Sequence, residues 1–376
     1  MGVDGGKSVL RVPELIVYGT NTVNELKKHA GKHGKKVVLV YGTGSLKKSG
    51  NYDRIMDILG PDEFEITEIS GITHDPDEEL IKEVTEKVKQ VKPDVIIGAG
   101  GGSVLDAAKA SSMLATNGGE VKDYWGGKKF SRPSIPCVAV PTTSGTGSEA
   151  TNNAVISSRD HTFKKSIRSS YMMPNIALVD PSLTLGSPPG VTINTGLDAL
   201  IQNLEGFTSR NSGPITDTLA LKGIELSGKY LRRAAEDPQD LEAREALSLT
   251  SLYGGITLLN AGLGLAHGLS HPIGINFGVP HGRACALVMP KVMEYNYTAR
   301  AEKYKQAGRL LSGTNDGVKA FQVFLESLGI KPELSRYGVK KEHIPALVEG
   351  SKGGSRNYNP IPHSDETVSR MLEELL

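Results

Sequence analysis

The feature that most constrains the fold is a change of sequence pattern near residue 185. Before it, short apolar, β-branched runs such as "KKVVLVYG" (35–42) and "DVIIGAGGG" (94–102) alternate with helical patterns such as "SVLDAAKASSMLA" (103–115). This alternation predicts a mostly parallel sheet covered by helices. After residue 185 the strand signals fade. The pattern then predicts long helices over 214–234, 239–261, 300–312 and 316–328.

These patterns divide the chain of 376 residues into two predicted domains. We expect residues 1–185 to form an α/β domain and residues 186–376 to form an all-helical domain. Because ligand sites lie preferentially between domains, we expect the catalytic cleft at their junction.

One predicted helix has an explicit start signal. In "DPDEELIKEVTEKVKQV" (75–91), Asp75 is the candidate cap, Pro76 suits the first helical position, and Glu78 completes a capping box. The apolar positions that follow form one stripe at helical spacing: Leu80, Ile81, Val84, Val88 and Val91.

Composition and charge exclude several classes of protein. The net charge of +1 and the lack of a basic-aromatic patch in the sequence give no support for binding nucleic acid or an acidic membrane. No apolar run reaches the ~18 residues of a membrane span, and the N-terminus lacks the apolar core of a signal peptide. The two cysteines, Cys137 and Cys285, lie in apolar sequence, and we predict inert core thiols. These features predict a cytoplasmic protein.

The segment "GAGGGSVLDAAK" (98–109) follows a predicted strand and opens a predicted helix. Glycines let backbone N–H groups approach a phosphate closely, and a helix N-terminus adds a favourable dipole. The spacing matches neither GxGxxG nor a Walker loop, so a tight strand-to-helix turn is the alternative. Four glycines in five residues exceed what a turn needs, and we favour a cradle for a cofactor pyrophosphate.

The segment "VPTTSGTGSEAT" (140–151) also follows a predicted strand and is rich in hydroxyls and small residues. It could be a plain surface loop. Open α/β sheets bind ligands at the carboxyl ends of their strands, however, so we favour a second ligand-facing loop.

The segment "VYGTGSLKKSG" (40–50) indicates which cofactor the chain prefers. NAD-binding folds usually place an acid near a strand end to hold the ribose 2′-hydroxyl, but here Gly42, Gly44 and Ser45 stand at that strand end and two lysines follow. Small residues, a hydroxyl and lysines would accept a 2′-phosphate, which a carboxylate would repel. We therefore favour NADP(H) over NAD(H). The alternative is that this loop does not contact a cofactor at all.

A cluster of metal-ligand types lies in the second half. Asp198 and Gln202 in "TGLDALIQNLEGF" are four residues apart and share one face of a helix. In "LAHGLSHPIGINFGVPHG", His267 and His271 repeat that spacing, and His281 lies between a proline and a glycine, which predicts a turn. A single buried histidine is usually a core residue, but three histidines this close to a paired acid favour a metal site.

At this point the sequence resembles the iron-containing alcohol dehydrogenase family, also called group III. The resemblance runs through nearly the whole chain, in the family's order: "GGGSVLDAAK", "PTTSGTGSE", "VDPSLT", "TGLDAL", "AGLGLAHGLSHPIG" and "VPHG". It implies a dinucleotide-binding α/β domain followed by a helical domain, as in dehydroquinate synthase. The "YGTGSLKKSG" segment is similar to the branch of NADPH-dependent butanol dehydrogenases and aldehyde reductases.

The resemblance also implies roles for particular residues. It makes Asp198, His267 and His281 ligands of one divalent metal, Fe²⁺ or Zn²⁺, and places His271 near the nicotinamide without necessarily binding metal. Gly100, Gly101, Gly102 and Ser103 would hold the cofactor pyrophosphate. Thr142 and Thr146 would contact the cofactor, and Lys164 would reach its ribose region. Asp106 and Thr143, which lie in the same motifs, are further candidate cofactor-binding residues.

Gln202 departs from the family pattern, in which a histidine is the commoner fourth ligand. A glutamine carbonyl oxygen is a harder and weaker ligand than an imidazole for Fe²⁺ or Zn²⁺. Three outcomes are open: Gln202 ligates the metal more loosely, a water takes its place, or the metal is lost. The retained Asp198, His267 and His281 argue against loss.

The expected activity is reversible hydride transfer between NADP(H) and a small alcohol or aldehyde, with a metal as Lewis acid and His271 as a proton relay. The alternatives are a metal-independent NAD(P)H carbonyl reductase on the same fold and a non-catalytic nucleotide-binding protein. By resemblance alone we expect a homodimer or a higher homo-oligomer.

Overall fold

The computed structural model describes residues 9–60 and 62–376. Six strands form one parallel sheet in the order β1-β8-β5-β4-β2-β3, and two more form an antiparallel hairpin. The strands are β1 (Leu15–Tyr18), β2 (Lys36–Gly42), β3 (Glu65–Ile72), β4 (Val95–Gly100), β5 (Cys137–Pro141), β6 (Asn153–Ser157), β7 (Lys164–Arg168) and β8 (Ile176–Val179). The predicted parallel sheet is confirmed.

Helices cover the sheet and then build the rest of the chain. Beside the sheet lie α1 (Leu26–Gly31), α2 (Ser45–Lys48), α3 (Asn51–Leu59), α4 (Glu78–Val91), α5 (Gly102–Asn117) and α6 (Val121–Trp125). The helical part comprises α7 (Pro189–Thr208), α8 (Pro214–Glu236), α9 (Leu241–Ala261), α10 (Leu265–Phe277), α11 (His281–Ser312), α12 (Gly317–Ser327), α13 (Ile344–Gly350) and α14 (Asp365–Glu373). The predicted fold class is confirmed. The proposed boundary at residue 185 lies between β8 and α7.

The core is divided in the same way. Apolar side chains fill both faces of the parallel sheet, and its central strands β4 and β5 are buried throughout. A separate cluster lies among α7, α8, α10, α11 and the helices after them. The sheet and the helical part meet where α9 packs against the loops that follow β5 and β8.

The predicted start of α4 is wrong by two residues. Asp77, not Asp75, caps the helix, and its carboxylate accepts a hydrogen bond of 2.8 Å from the backbone N–H of Leu80. Asp75 has a left-handed backbone (φ 56°), and its carboxylate contacts Lys164 and His74, so it is occupied elsewhere. The apolar stripe is where the spacing predicted it: Ile81, Val84 and Val88 are buried, and Leu80 and Val91 are partly buried.

The helix predicted over 300–312 is the second half of a longer one. α11 begins at His281 and is kinked at Arg300, whose backbone leaves helical geometry. His281 therefore begins a helix rather than lying in a turn, and Pro280 is its cap.

Within the described residues, no single helix is long and apolar enough to cross a membrane. One pair, α9 and α10, reaches the required length and composition when taken together, although the two helices are bent by 110°.

Candidate metal centre and cofactor cleft

The first element of the site is the buried helix α7. Three polar residues of this helix are buried: Asp198, Gln202 and Glu205. Their spacing of four and then three residues puts them on one face of the helix. Proline at the first position of α7 suits the helix start, and the buried polar residues need partners from other elements. Those partners come from α10 and α11, which bring two histidines to the Asp198 carboxylate.

His267 in the first turn of α10 and His281 at the start of α11 converge on one oxygen. The Nε2 atoms lie 3.3 Å and 3.7 Å from Asp198 Oδ1. Two ligands held about 2.1 Å from a tetrahedral metal lie about 3.4 Å apart. Each imidazole nitrogen therefore lies close to the separation from the Asp198 oxygen that two ligands of one metal would have, and carboxylate and imidazole are suitable donors for Fe²⁺ or Zn²⁺. Ligation by these three residues stays a prediction.

The other ring nitrogens fix the orientation of both imidazoles. His267 Nδ1 lies 2.6 Å from Glu205 Oε2. His281 Nδ1 lies 3.2 Å from Ser270 Oγ, whose own hydrogen is donated to the backbone carbonyl of His267. Each Nδ1 thus carries the proton, and each Nε2 keeps its lone pair for a metal.

Glu205 is a residue that the sequence reasoning missed. Besides His267 Nδ1, its carboxylate accepts hydrogen bonds from the backbone N–H groups of Gly264 (2.9 Å) and Ala266 (2.7 Å) at the start of α10. It therefore holds the first turn of α10 and the ligand that this turn carries. Its spacing of seven residues from Asp198 on one helix was the available signal.

The charges of the cluster are coupled. Burial raises the pKa of Asp198, but the neighbouring imidazoles of His281 and His267 outweigh it and lower that pKa overall. Burial lowers the pKa of His267, but Cys285 and the acceptors around the ring outweigh it and raise that pKa well above its usual value. The opposite shifts of the two groups reflect their attraction for each other, and a metal would compete with a proton for His267 Nε2.

Gln202 lies beside these residues, and its amide nitrogen, not its amide oxygen, faces Asp198. Nε2 donates to Asp198 Oδ1 (3.1 Å) and to the backbone carbonyl of Thr146 (3.3 Å). Oε1 is buried, faces Gly254 of α9, and has no hydrogen-bond partner among the described residues. In this orientation the amide supports Asp198 rather than offering its oxygen; ligation by Gln202 stays a prediction.

His271 lies one turn after His267, with its ring centroid 5.3 Å from that of His281. Its Nδ1 is buried and has no hydrogen-bond partner among the described residues. Burial, together with His281, Lys164 and His267, lowers the pKa of His271 to about 3. Its role as a proton relay stays a prediction, and it would act from the neutral form, since a neutral imidazole can still accept and donate.

Cys285 is packed in the apolar core of the helical part, as the sequence predicted, and it also lies beside two imidazoles. It is fully buried, one turn after His281, and its sulfur and ring nitrogens of His267 and His281 all lie within 4.8 Å of one another. Cys137 on β5 matches the prediction of a core thiol, because burial raises its pKa to about 12.

The two predicted cofactor loops lie side by side at the carboxyl ends of β4 and β5. The backbone N–H of Thr142 donates to the carbonyl of Gly100 (2.9 Å). A Cβ placed on Gly101 would lie 3.3 Å from Thr143 Oγ1, and one on Gly102 would lie 2.5 Å from Thr146 Oγ1. Only glycines leave room for this approach, so the loops form a bare backbone cradle at the N-terminus of α5.

The structure gives three of the predicted cofactor residues internal partners. Asp106 contacts Ser148, the backbone N–H of Val155 and Lys109, and so ties α5 to β6. Ser103 Oγ accepts from the backbone N–H of Asp75 (3.2 Å), and the Asp75 carboxylate contacts Lys164. Contacts of these residues with a cofactor stay predictions.

The predicted 2′-phosphate loop begins at the end of β2. Gly42 ends the strand, Gly44 precedes α2, and Ser45 is the first residue of that helix. A Cβ on Gly44 would lie 3.8 Å from Lys48 Cε, whereas Lys47 Nζ lies 4.4 Å from the centre of the Tyr52 ring. Lys48 is therefore the lysine nearer to the glycine loop.

Comparisons with known proteins agree with this architecture. The family model "Iron-containing alcohol dehydrogenase" matches residues 13–181, and "Fe-containing alcohol dehydrogenase family, C-terminal" matches residues 192–376. The chain therefore belongs to the iron-containing alcohol dehydrogenase family, and the predicted resemblance is confirmed. It is an oxidoreductase of a family that acts on alcohols and aldehydes and binds a divalent metal and NAD(H).

Two relatives and two solved structures cover almost the whole chain. A sulfoacetaldehyde reductase of Bilophila wadsworthia is 33% identical over 95% of this chain and 96% of its own, and an NAD-dependent methanol dehydrogenase of Bacillus methanolicus is 31% identical over 97% and 99%. The crystal structure of a 1,3-propanediol oxidoreductase matches with a TM-score of 0.94 at 28% identity over 99% and 100% of the two chains. That of a Bifidobacterium kashiwanohense sulfoacetaldehyde reductase with NAD⁺ matches with a TM-score of 0.91 at 28% identity, over 99% of each.

Proposed function

We propose that this protein is a metal-dependent aldehyde reductase, or alcohol dehydrogenase, that prefers NADP(H) and takes small substrates. The observation that carries the proposal is the position of Thr146. Its side chain packs against the glycine cradle at Gly102, and its backbone carbonyl accepts from Gln202 beside the metal ligands. One residue therefore joins the cofactor loop to the residues that would hold the metal, so a bound cofactor and a bound substrate would be held next to each other.

Asp198, His267 and His281 are the proposed metal ligands. When bound, the metal supplies a Lewis acid for a carbonyl or alkoxide oxygen. Residues of the chain position the other groups: Glu205 and Ser270 orient the two imidazoles, and the glycine cradle would hold the cofactor. We assign His271 the transfer of a proton at Nδ1, because this nitrogen is buried beside His281 without a protein partner among the described residues.

The preference for NADP(H) rests on the end of β2, which carries Gly42 in the position of an acid, with Lys48 next to Gly44. A Cβ on Gly42 would meet only the carbonyl of Ile72 at 3.4 Å and Val104 at 3.7 Å, so an aspartate fits there. We expect Gly42→Asp to shift the preference toward NADH, because a carboxylate repels the 2′-phosphate and accepts from the 2′-hydroxyl. The matched control is Gly42→Ala, which adds the Cβ at the same position without the charge.

The measurement is the ratio of kcat/KM for NADPH and NADH with butanal in the wild type and both variants. An unchanged ratio in Gly42→Asp would remove this loop from cofactor choice. The named substrates of the relatives suggest further carbonyl compounds to assay: sulfoacetaldehyde, and the aldehydes of methanol and 1,3-propanediol.

The orientation of Gln202 favours one competing function, a metal-independent carbonyl reductase on the same fold. Its amide N–H donates to Asp198, whereas an amide that ligated a metal would turn its oxygen toward the site. Protein stripped of metal and resupplied anaerobically with Fe²⁺ or Zn²⁺ separates the two. Activity that returns with one metal supports the proposal, and full activity without metal supports the competing function.

We further propose a homodimer. Support comes from Val9, Leu10 and Val12, which are exposed apolar residues ahead of the edge strand β1. Light scattering of the purified protein, compared with a Val12→Lys variant, tests this. The location in the cytoplasm stays a prediction.

A further inference from the structure

The position of Cys285 carries an inference beyond the ligand set proposed above. It lies on the same face of α11 as His281, four residues later. It has no solvent exposure, and its sulfur stands with the His267 and His281 ring nitrogens in a group within 4.8 Å. The thiol therefore lies beside two of the proposed metal ligands, on the same helix that supplies one of them.

Gln202 is poorly placed to be the fourth ligand. Its Nε2 faces two acceptors, Asp198 Oδ1 and the backbone carbonyl of Thr146. Turning the amide to present Oε1 would set that oxygen against both acceptors. A metal could offset the repulsion from the carboxylate, but the Thr146 carbonyl would stay opposed to another acceptor and would lose its donor.

We infer that Cys285, rather than Gln202, supplies the fourth protein ligand, which gives a site of Asp198, His267, His281 and Cys285. This inference rests on the proposed metal-dependent function. Tetrahedral geometry with about 2.3 Å to sulfur and about 2.1 Å to nitrogen puts the two ligand atoms about 3.6 Å apart. The sulfur and the ring nitrogens lie within 4.8 Å of one another, so a movement of about 1 Å brings them to this separation, and Asp198 joins the set through its contacts with both imidazoles.

The chemistry of this set differs from that of an amide-containing site. Binding the metal releases the thiol proton to solvent, so the thiolate and the Asp198 carboxylate together neutralise a divalent cation. Sulfur also makes the site softer, and we expect it to retain Zn²⁺ better than a site completed by an amide oxygen would. Gln202 keeps its present contact and orients Asp198 as a hydrogen-bond donor.

X-ray absorption of zinc-loaded wild-type protein tests the inference without any substitution. We expect one zinc ion per chain with a sulfur neighbour at about 2.3 Å. Zinc bound with only nitrogen and oxygen neighbours would overturn the role of Cys285 and leave the proposed function standing. Failure to retain zinc, iron or cobalt would overturn the proposed metal-dependent function itself, so the two failures are distinguishable.

Cobalt-substituted variants give a second readout. Wild type and Gln202→Ala should show a sulfur-to-cobalt charge-transfer band in the near ultraviolet, and Cys285→Ala should lack it and bind cobalt more than about 10-fold more weakly. Cys137→Ala is the matched control, since Cys137 is the chain's other buried cysteine and lies on β5. If Cys285→Ala unfolds, the X-ray measurement still decides. If it folds, adding Gln202→His should restore cobalt binding without the band, and a band that persists in Cys285→Ala contradicts the inference.

Discussion

Replacing Glu205 with glutamine tests whether the metal site depends on a residue that touches no metal. Glu205 Oε2 accepts from His267 Nδ1 at 2.6 Å and from the Gly264 N–H at 2.9 Å, while Oε1 accepts from the Ala266 N–H at 2.7 Å. A glutamine has one acceptor oxygen where the carboxylate has two. Whichever way the amide turns, its NH₂ group faces a backbone or ring N–H group.

The magnitude follows from that count. At least one buried donor loses its acceptor, which costs about 1–3 kcal/mol, and the remaining hydrogen bonds lose their charge assistance. His267 is then held less firmly and is a weaker base, so we expect Glu205→Gln to bind metal about 10–100-fold more weakly. The stability of the metal-free protein should fall as well, because Glu205 also anchors the first turn of α10.

The assay is competition for Zn²⁺ against a chromophoric chelator, followed by metal analysis of the dialysed protein. Glu245→Gln is the control, since that half-buried carboxylate accepts from Thr20 Oγ1 far from the metal ligands. The reasoning is refuted if Glu205→Gln binds zinc as tightly as the control does. A loss of kcat at unchanged metal content would instead place Glu205 in the chemistry.

Three further predictions concern the histidines, the glycine cradle and the buried Glu149. His281→Ala should lose its metal, whereas His271→Ala should keep the metal and turn over more slowly; equal loss in metal analysis would refute this division. Gly102→Ala should weaken NADPH binding measured by fluorescence, because its Cβ would lie 2.5 Å from Thr146 Oγ1, whereas Gly190→Ala, with open space around it, should not. Burial raises the pKa of Glu149 to about 7, so unfolded chains release this proton at lower pH than folded ones and stability falls as pH rises from about 4.5 to 7. Chemical denaturation of Glu149→Gln should lack that part of the pH dependence, on the order of 3 kcal/mol.

Much of the fold could be predicted because its signals are local. Strands β2, β4 and β5 are continuous buried runs that end in glycine or proline, and such runs need no tertiary information to be recognised. The start of α4 was wrong because two aspartates precede the helix and either could cap it. Lys164, 89 residues away in sequence, contacts Asp75 and leaves Asp77 as the cap.

The metal ligands could be predicted only as a set of residue types. Spacing placed Asp198 and Gln202 on one face, but it could not give the direction of an amide, which depends on the Thr146 carbonyl 56 residues away. It could not show either that Cys285, while packed in the apolar core, lies beside two of the predicted ligands. That follows from α11 beginning at His281 instead of after a turn, which puts both residues on one helical face.

These departures meet at one point of the molecule. Where the family commonly has a histidine, Gln202 turns its N–H toward Asp198, and Cys285 brings a thiol to the same two imidazoles. If the Gln202 amide only donates, it does not coordinate, and a divalent cation held by Asp198, His267 and His281 has three protein ligands. The Cys285 thiol lies beside two of these ligands and can supply the fourth. As a thiolate it would add the negative charge and the soft donor atom that the amide does not provide. In the proposed site, the thiolate would therefore decide which metal is bound, and so which Lewis acid the substrate meets.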